Sequence, residues 1–191
     1  MSAKLPPKAE SVDRQGRADG FVPPVFYRPE VIGGGHTRLT VSLPPERIEA
    51  VHRALVASLE PPLKLLYVQL TDRKTGQLPK PRQLVAVELG TEQVLDVLER
   101  YRALIYHDGR NQLWVRGALE EQVVLEEISV IYVYPDDPVF REVLEANDVP
   151  PGEGETMAER DYIKVHFASR NDPQERRLIQ ELNLTEWSRG G

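Results

Sequence analysis

The chain contains no cysteine. Disulfides, thiolate zinc sites, iron–sulfur clusters and a cysteine nucleophile are therefore excluded. At 191 residues it is long enough to bury a core without such staples. Long apolar runs are missing too. No stretch approaches about 18 apolar residues, so nothing reads as a membrane span. The first twenty residues lack the apolar run of about 7–15 residues that defines a signal peptide, and a cytoplasmic location is expected. Lysine is scarce, with 6 against 18 arginines. Arginine forks onto carboxylates, so internal Arg–carboxylate pairs are expected. No Gly-x-Ser-x-Gly elbow occurs. Gly33-Gly34-Gly35-His36-Thr37 lacks the Lys-Ser/Thr and following helix of a phosphate loop and reads as a linker. The histidines (His36, His52, His107, His166) show no i, i+3 or i, i+4 pair, so no helical metal pair exists. No metal and no cofactor is expected.

What the chain does have is a segregated charge. Between Glu92 and Ile163 lie 17 acidic residues and 6 arginines, while the remainder holds 13 acidic and 18 basic residues. The net charge of −6 hides this acidic middle and disfavours a phosphate-tracking nucleic-acid binder. A field of one sign steers encounters with partners of the other sign but specifies no reaction.

Residues 1–36, rich in Pro, Gly and charge, read as a flexible tail. Within them Phe21–Tyr27 is aromatic and stiffened by Pro23 and Pro24, and is expected to dock on the domain rather than serve as a linear motif. Alternation predicts strands over 38–43, 63–71, 84–89 and 112–116. Stripes at helical spacing (Ile48, Val51, Leu55, Leu59, then Val94, Leu98, Tyr101, Ile105) predict two helices, the first opened by Pro45 and the second capped by Thr91. The resulting order, β-α-β-β-α-β, is the ferredoxin-like pattern. Residues 123–134 predict one or two further strands, and 162–168 another. Asp137-Pro138 and Asn171-Asp172-Pro173 are helix-start signals. The expectation is one α+β domain over 37–184. It has a mostly antiparallel or mixed sheet, helices mainly on one face, a C-terminal β-α-β-α extension, and a frayed end at 185–191.

His107-Asp108-Gly109-Arg110 is the most site-like stretch, offering an acid/base, a carboxylate and a guanidinium on one turn. The competing reading is a polar turn, because adjacent residues on a strand point to opposite faces. His107, His166, Asp136 and Asp137 sit at strand ends where a metal could gather them, but Asp137 is already explained as a helix cap. His52 reads as a rim residue, and Trp114 as core or the rim of a groove. The aromatic positions Tyr132, Tyr134 and Tyr162 read as core packing.

The leading functional expectation is a non-enzymatic intracellular interaction module, an adaptor, inhibitor or immunity-type protein. Its acidic surface (Glu120, Glu121, Glu126, Glu127, Asp136, Glu142) would meet a basic partner protein. Nucleic acid and membrane are not expected as partners, and a homodimer through an exposed strand is possible on this reading. The alternatives are an enzyme centred on His107 with Asp108 and Arg110, or a small-ligand sensor.

Overall fold

The computed structural model describes residues 6–72, 80–164 and 169–187. The strands are β1 (Ala9–Ser11), β2 (Phe26–Val31), β3 (Thr37–Ser42), β4 (Leu63–Gln69), β5 (Arg82–Leu89), β6 (Asn111–Arg116), β7 (Gln122–Leu125), β8 (Ile131–Tyr134), β9 (Tyr162–Lys164) and β10 (Thr185–Glu186). The helices are α1 (Pro45–Ala57), α2 (Thr91–Arg100), α3 (Arg102–His107), α4 (Pro138–Ala146) and α5 (Asp172–Glu181). Among the described residues eight strands join one antiparallel sheet in the order β10-β5-β4-β6-β7-β8-β3-β2, and β1 pairs with β9 apart from it. The α+β class and the antiparallel sheet are as the sequence indicates.

Alternation along each strand builds one deep core. Leu39 and Val41, Leu63, Leu65 and Tyr67, Leu113 and Val115, Val123 and Leu125, and Ile131 and Val133 all face the helices. Ile48, Val51 and Leu55 of α1, Val94, Val97 and Leu98 of α2, and Phe140 and Leu144 of α4 meet them there. Each such side chain, fully buried, contributes about 1.5–3 kcal/mol. The second helical stripe is broken at Tyr101 (φ −102°, ψ 21°), which divides it into α2 and α3 while Tyr101 and Ile105 stay buried. Gly90, not Thr91, precedes the first helical residue of α2. The Asp137 carboxylate caps α4, accepting from the Val139 N–H at 2.9 Å.

The β-α-β-β-α-β order is present as β3-α1-β4-β5-α2-β6, but β3 and β4 are separated in the sheet by β6, β7 and β8. In a ferredoxin-like sheet the third strand, here β5, would fill that gap, but β5 lies on the far side of β4 and β6 takes its place beside it, so the chain shares the element order of that pattern and not its sheet topology. The C-terminal extension is divided: β7 and β8 enter the main sheet, β9 pairs with β1, and β10 lies on the β5 edge. Of the strand expected over 162–168, residues 165–168 lie outside the described residues.

The expected tail over 1–36 is instead built into the fold from Pro6 onward. β2 pairs with β3 from Phe26↔Ser42 to Val31↔Thr37, and the triple glycine is the tight turn between them, with Gly34 and Gly35 at φ 76° and 75°. Tyr27 is buried, its hydroxyl donating to Glu145 at 2.7 Å, so the aromatic stretch docks on the domain. Composition failed there because a six-residue strand with a proline carries little β signal without its partner. The expected frayed end is also partly ordered. β10 pairs with β5, and the Trp187 N–H donates to the Gln83 carbonyl at 2.7 Å.

Candidate functional site

The His107 turn is a lock rather than an open site. Asp108 and Arg110 are 0% and 4% exposed, and the guanidinium grips the carboxylate at two points, 2.9 and 2.7 Å. The Asn171 amide adds a bond to Asp108 at 3.1 Å, and Asp172 stands 3.6 Å from Arg110. His107 lies half-buried with its Nδ1 2.7 Å from the Pro6 carbonyl, and burial, partly offset by that bond, lowers its pKa. The turn therefore binds the chain's own N-terminal segment.

The centre of this lock is Lys8, a residue that sequence reasoning placed in the tail. Its ammonium is completely buried and donates to the carbonyls of Ile105 (3.0 Å) and Asn111 (2.8 Å) and to Asn111 Oδ1 (3.2 Å). Burial lowers its pKa to about 7 against the attraction of Asp108, Glu127 and Glu126. Gly109 is required at the crossing, because a Cβ there would stand 2.5 Å from the Lys8 carbonyl oxygen. No signal in the sequence announces this lysine, since its acceptors lie about a hundred positions away.

The acidic residues do not share one face. Glu120 pairs with Arg116. Glu121 is buried and accepts from the Glu60 N–H at 2.7 Å. Asp136 is gripped by Arg141 at 2.7 and 2.6 Å. Glu126 and Glu127 lie at the other end of β7, both accepting from the Gln112 amide at 3.0 and 2.5 Å. Burial, then the charge of Glu127, raises the Glu126 pKa to about 7. Glu142 is exposed on α4, in the helix layer. Most of this acidity is thus spent on the chain's own donors, as its arginine content anticipates.

Among the described residues no group of three or more potential ligands is placed to hold a metal ion. His166 lies outside the described residues. His52, expected on a rim, is fully buried, its Nδ1 2.9 Å from the Tyr106 hydroxyl. Burial, with Lys8 adding to it, lowers the His52 pKa to about 3, so the ring is neutral at ordinary pH.

The sheet face turned away from the helices holds the more open feature. Sheet register sets Leu66 beside both Trp114 and Val85, Lys64 beside Arg116, and Arg116 beside Gln122. With Gln83 and Trp187 these half-exposed side chains line a groove of about 300 Å³. Trp114 is steadied by a bond from Nε1 to Gln112 at 3.2 Å, and the Lys64 ammonium stands 5.7 Å from the Trp187 ring centre. A neighbouring hollow of about 270 Å³ shares Lys64 and Arg116 and adds Val87, which is 49% exposed. Both tryptophans of the chain therefore line one groove. The sequence reads Trp114 as core or the rim of a groove, and here it lines one. Its companions could not be read there, because they meet only through strand pairing.

No protein-family model matches the chain, and no curated protein or solved structure is significantly similar to it.

Proposed function

We propose that this protein is a non-enzymatic interaction module that receives a partner protein on the groove face of its sheet. The observation carrying this reading is the convergence of Trp114, Trp187, Leu66 and Val85 in one half-exposed groove. Tryptophan anchors dominate binding energy where they are desolvated. Charge complementarity specifies the partner's chemistry. Lys64 makes no ion pair among the described residues, and Arg116 is met only by Glu120, which is itself 74% exposed at the side chain. An apolar anchor flanked by carboxylates fits this face, so the support for the interaction reading comes from a cationic groove and not from the acidic middle. Asp108 and Arg110 of the His107 turn are instead buried against one another. A homodimer through strand edges would use β2 or β10, and Pro29 on β2 blunts the first of these.

Capture from native lysate on the wild-type chain and on Lys64→Glu and Trp187→Ala variants tests the reading. Both side chains are solvent-accessible, so both variants are expected to keep the wild-type melting temperature. A partner held by the wild type should bind each variant about thirtyfold more weakly. Its on-rate to the wild type should also fall with salt. Equal capture by all three chains would contradict the groove as the docking face.

A further inference from the structure

Lys64 and Arg116 line both the groove and the neighbouring hollow, so they mark the boundary between the two. Strand register sets them directly opposite one another on β4 and β6. Like charges in that position destabilise a sheet, so folding alone gives no reason for the pair. Among the described residues no carboxylate lines the groove, whose other polar lining is the neutral Gln83 and Gln122. Glu88 and Glu120 lie beyond the pair, in the hollow. Of the described residues only Glu120 forms an ion pair with Arg116. It does so from a strained position, with φ at 73° in the left-handed region that favours glycine. The turn around it is tied down. The Gly117 N–H donates to the Glu121 carbonyl at 2.9 Å, and the buried Glu121 carboxylate accepts from the Glu60 N–H. The Glu120 side chain is still 74% exposed, so its ion pair adds little to stability.

On the reading of the groove as the docking face, we propose that Lys64 and Arg116 form its carboxylate subsite and that Glu120 is an internal competitor, displaced when a partner's carboxylate arrives. A carboxylate set between the two cations gains two opposite charges and removes their mutual repulsion. Arg116 offers a fork that a carboxylate meets at two points, while the apolar body attached to it lies on Leu66, Val85, Trp114 and Trp187. At Arg116 the exchange is nearly balanced, because one carboxylate replaces another. Lys64 makes no ion pair among the described residues of the free protein, so it supplies the net gain. A neutral or cationic segment leaves Glu120 in place and gains nothing at the subsite. Glu120 thereby sharpens the choice of partner towards an aromatic or aliphatic anchor with a carboxylate beside it.

The test uses 2-naphthylacetate and the neutral 2-naphthylacetamide, which share a ring and differ in charge. Both are titrated against the full chain and followed by tryptophan emission and by indole and amide chemical shifts. The acetate is expected to shift the indole N–H signals of Trp114 and Trp187 and to bind about tenfold more tightly than the acetamide. Glu120→Gln should tighten the acetate about threefold and leave the acetamide unchanged. In an Arg116→Met background the same substitution should change neither, because the competition is for that guanidinium. Lys64→Met should weaken the acetate about fivefold and keep the Glu120→Gln gain, which provides a second check that does not depend on Arg116→Met folding. Glu120→Gln keeps an exposed polar side chain and is expected to melt within about 2 °C of the wild type. Equal affinity for the two probes would overturn the proposal, as would absence of acetate binding at millimolar concentration. A Glu120→Gln gain that is absent, or that persists without Arg116, would overturn the competitor role. The docking of a protein on this face is read separately, by the capture experiment on Lys64→Glu and Trp187→Ala. Partner capture without these probe effects would reject the carboxylate subsite and keep the docking face, and the reverse result would keep the subsite and reject the protein partner.

Discussion

Asp108→Ala is expected to cost about 3–5 kcal/mol of folding stability, the largest single-residue effect in this protein. The reason is what it leaves behind. Arg110 is 4% exposed and its guanidinium is oriented by the two carboxylate oxygens of Asp108. Removing that carboxylate takes the two-point partner away from a buried positive charge, and Asp172 stands farther off, at 3.6 Å. The Asn171 amide loses an acceptor at the same time, loosening the entry to α5. Lys8 loses the foremost of the charges that favour its ammonium. Urea unfolding at neutral pH reads the cost directly. Replacing both partners, as Asp108→Ala/Arg110→Met, should recover a large part of the loss, because a paired charge exchanged for apolar surface is often neutral. A loss below about 1 kcal/mol in the single variant would mean that the pair behaves as an exposed ion pair, against the burial described here.

The second large effect concerns Lys8 and has a pH signature. Burial holds its folded pKa near 7, below the ordinary 10.5 that it regains when the chain unfolds. Between those values the unfolded chain binds the extra proton. Stability therefore rises with pH from about 7 towards 10.5, and the gain is lost as pH falls back through that window. One proton corresponds to a slope of at most about 1.4 kcal/mol per pH unit. Lys8→Met fills the same space without a titrating group, so subtracting its stability profile from that of the wild type isolates the slope. The subtraction matters because Glu126, raised to about 7, and His52, lowered to about 3, titrate below the window with opposite signs. At neutral pH the variant also leaves the Ile105 and Asn111 carbonyls without their donor, at about 1–3 kcal/mol for each group left unsatisfied. Amide hydrogen exchange at Ala9–Ser11 should then show earlier release of β1. A flat difference profile between pH 7 and 10 would show that Lys8 is not buried in solution.

The helical layer was legible because its signal is local. Ile48, Val51 and Leu55 recur at helical spacing, and Asp137-Pro138 carries its own cap, so the sequence and the fold agree on α1 and α4. The second start signal was misread in detail. Asn171 precedes α5, but its side chain is bonded to Ala103 and Asp108 and not to the helix. What could not be read is what depends on pairing across the chain. β1 is three residues long and β2 carries a proline, and each is defined by a partner far along the sequence or beyond a glycine turn. The charge count suffered the same way. Asp136 and Glu121 look like available surface charge until Arg141 and the Glu60 amide are seen on them. The groove is invisible for a related reason: Leu66, Val85, Trp114 and Trp187 are unremarkable singly and become neighbours only through strand register.

The most direct test of the groove as the docking face is site-specific photo-crosslinking in cells. Benzoylphenylalanine placed at Leu66, on the groove floor, is compared with the same group at Val139, an apolar position 52% exposed on α4. The expected result is a discrete protein adduct from position 66, suppressed by Lys64→Glu, and none from position 139. No adduct from position 66, or the same adducts from both positions, would contradict the assignment of this face.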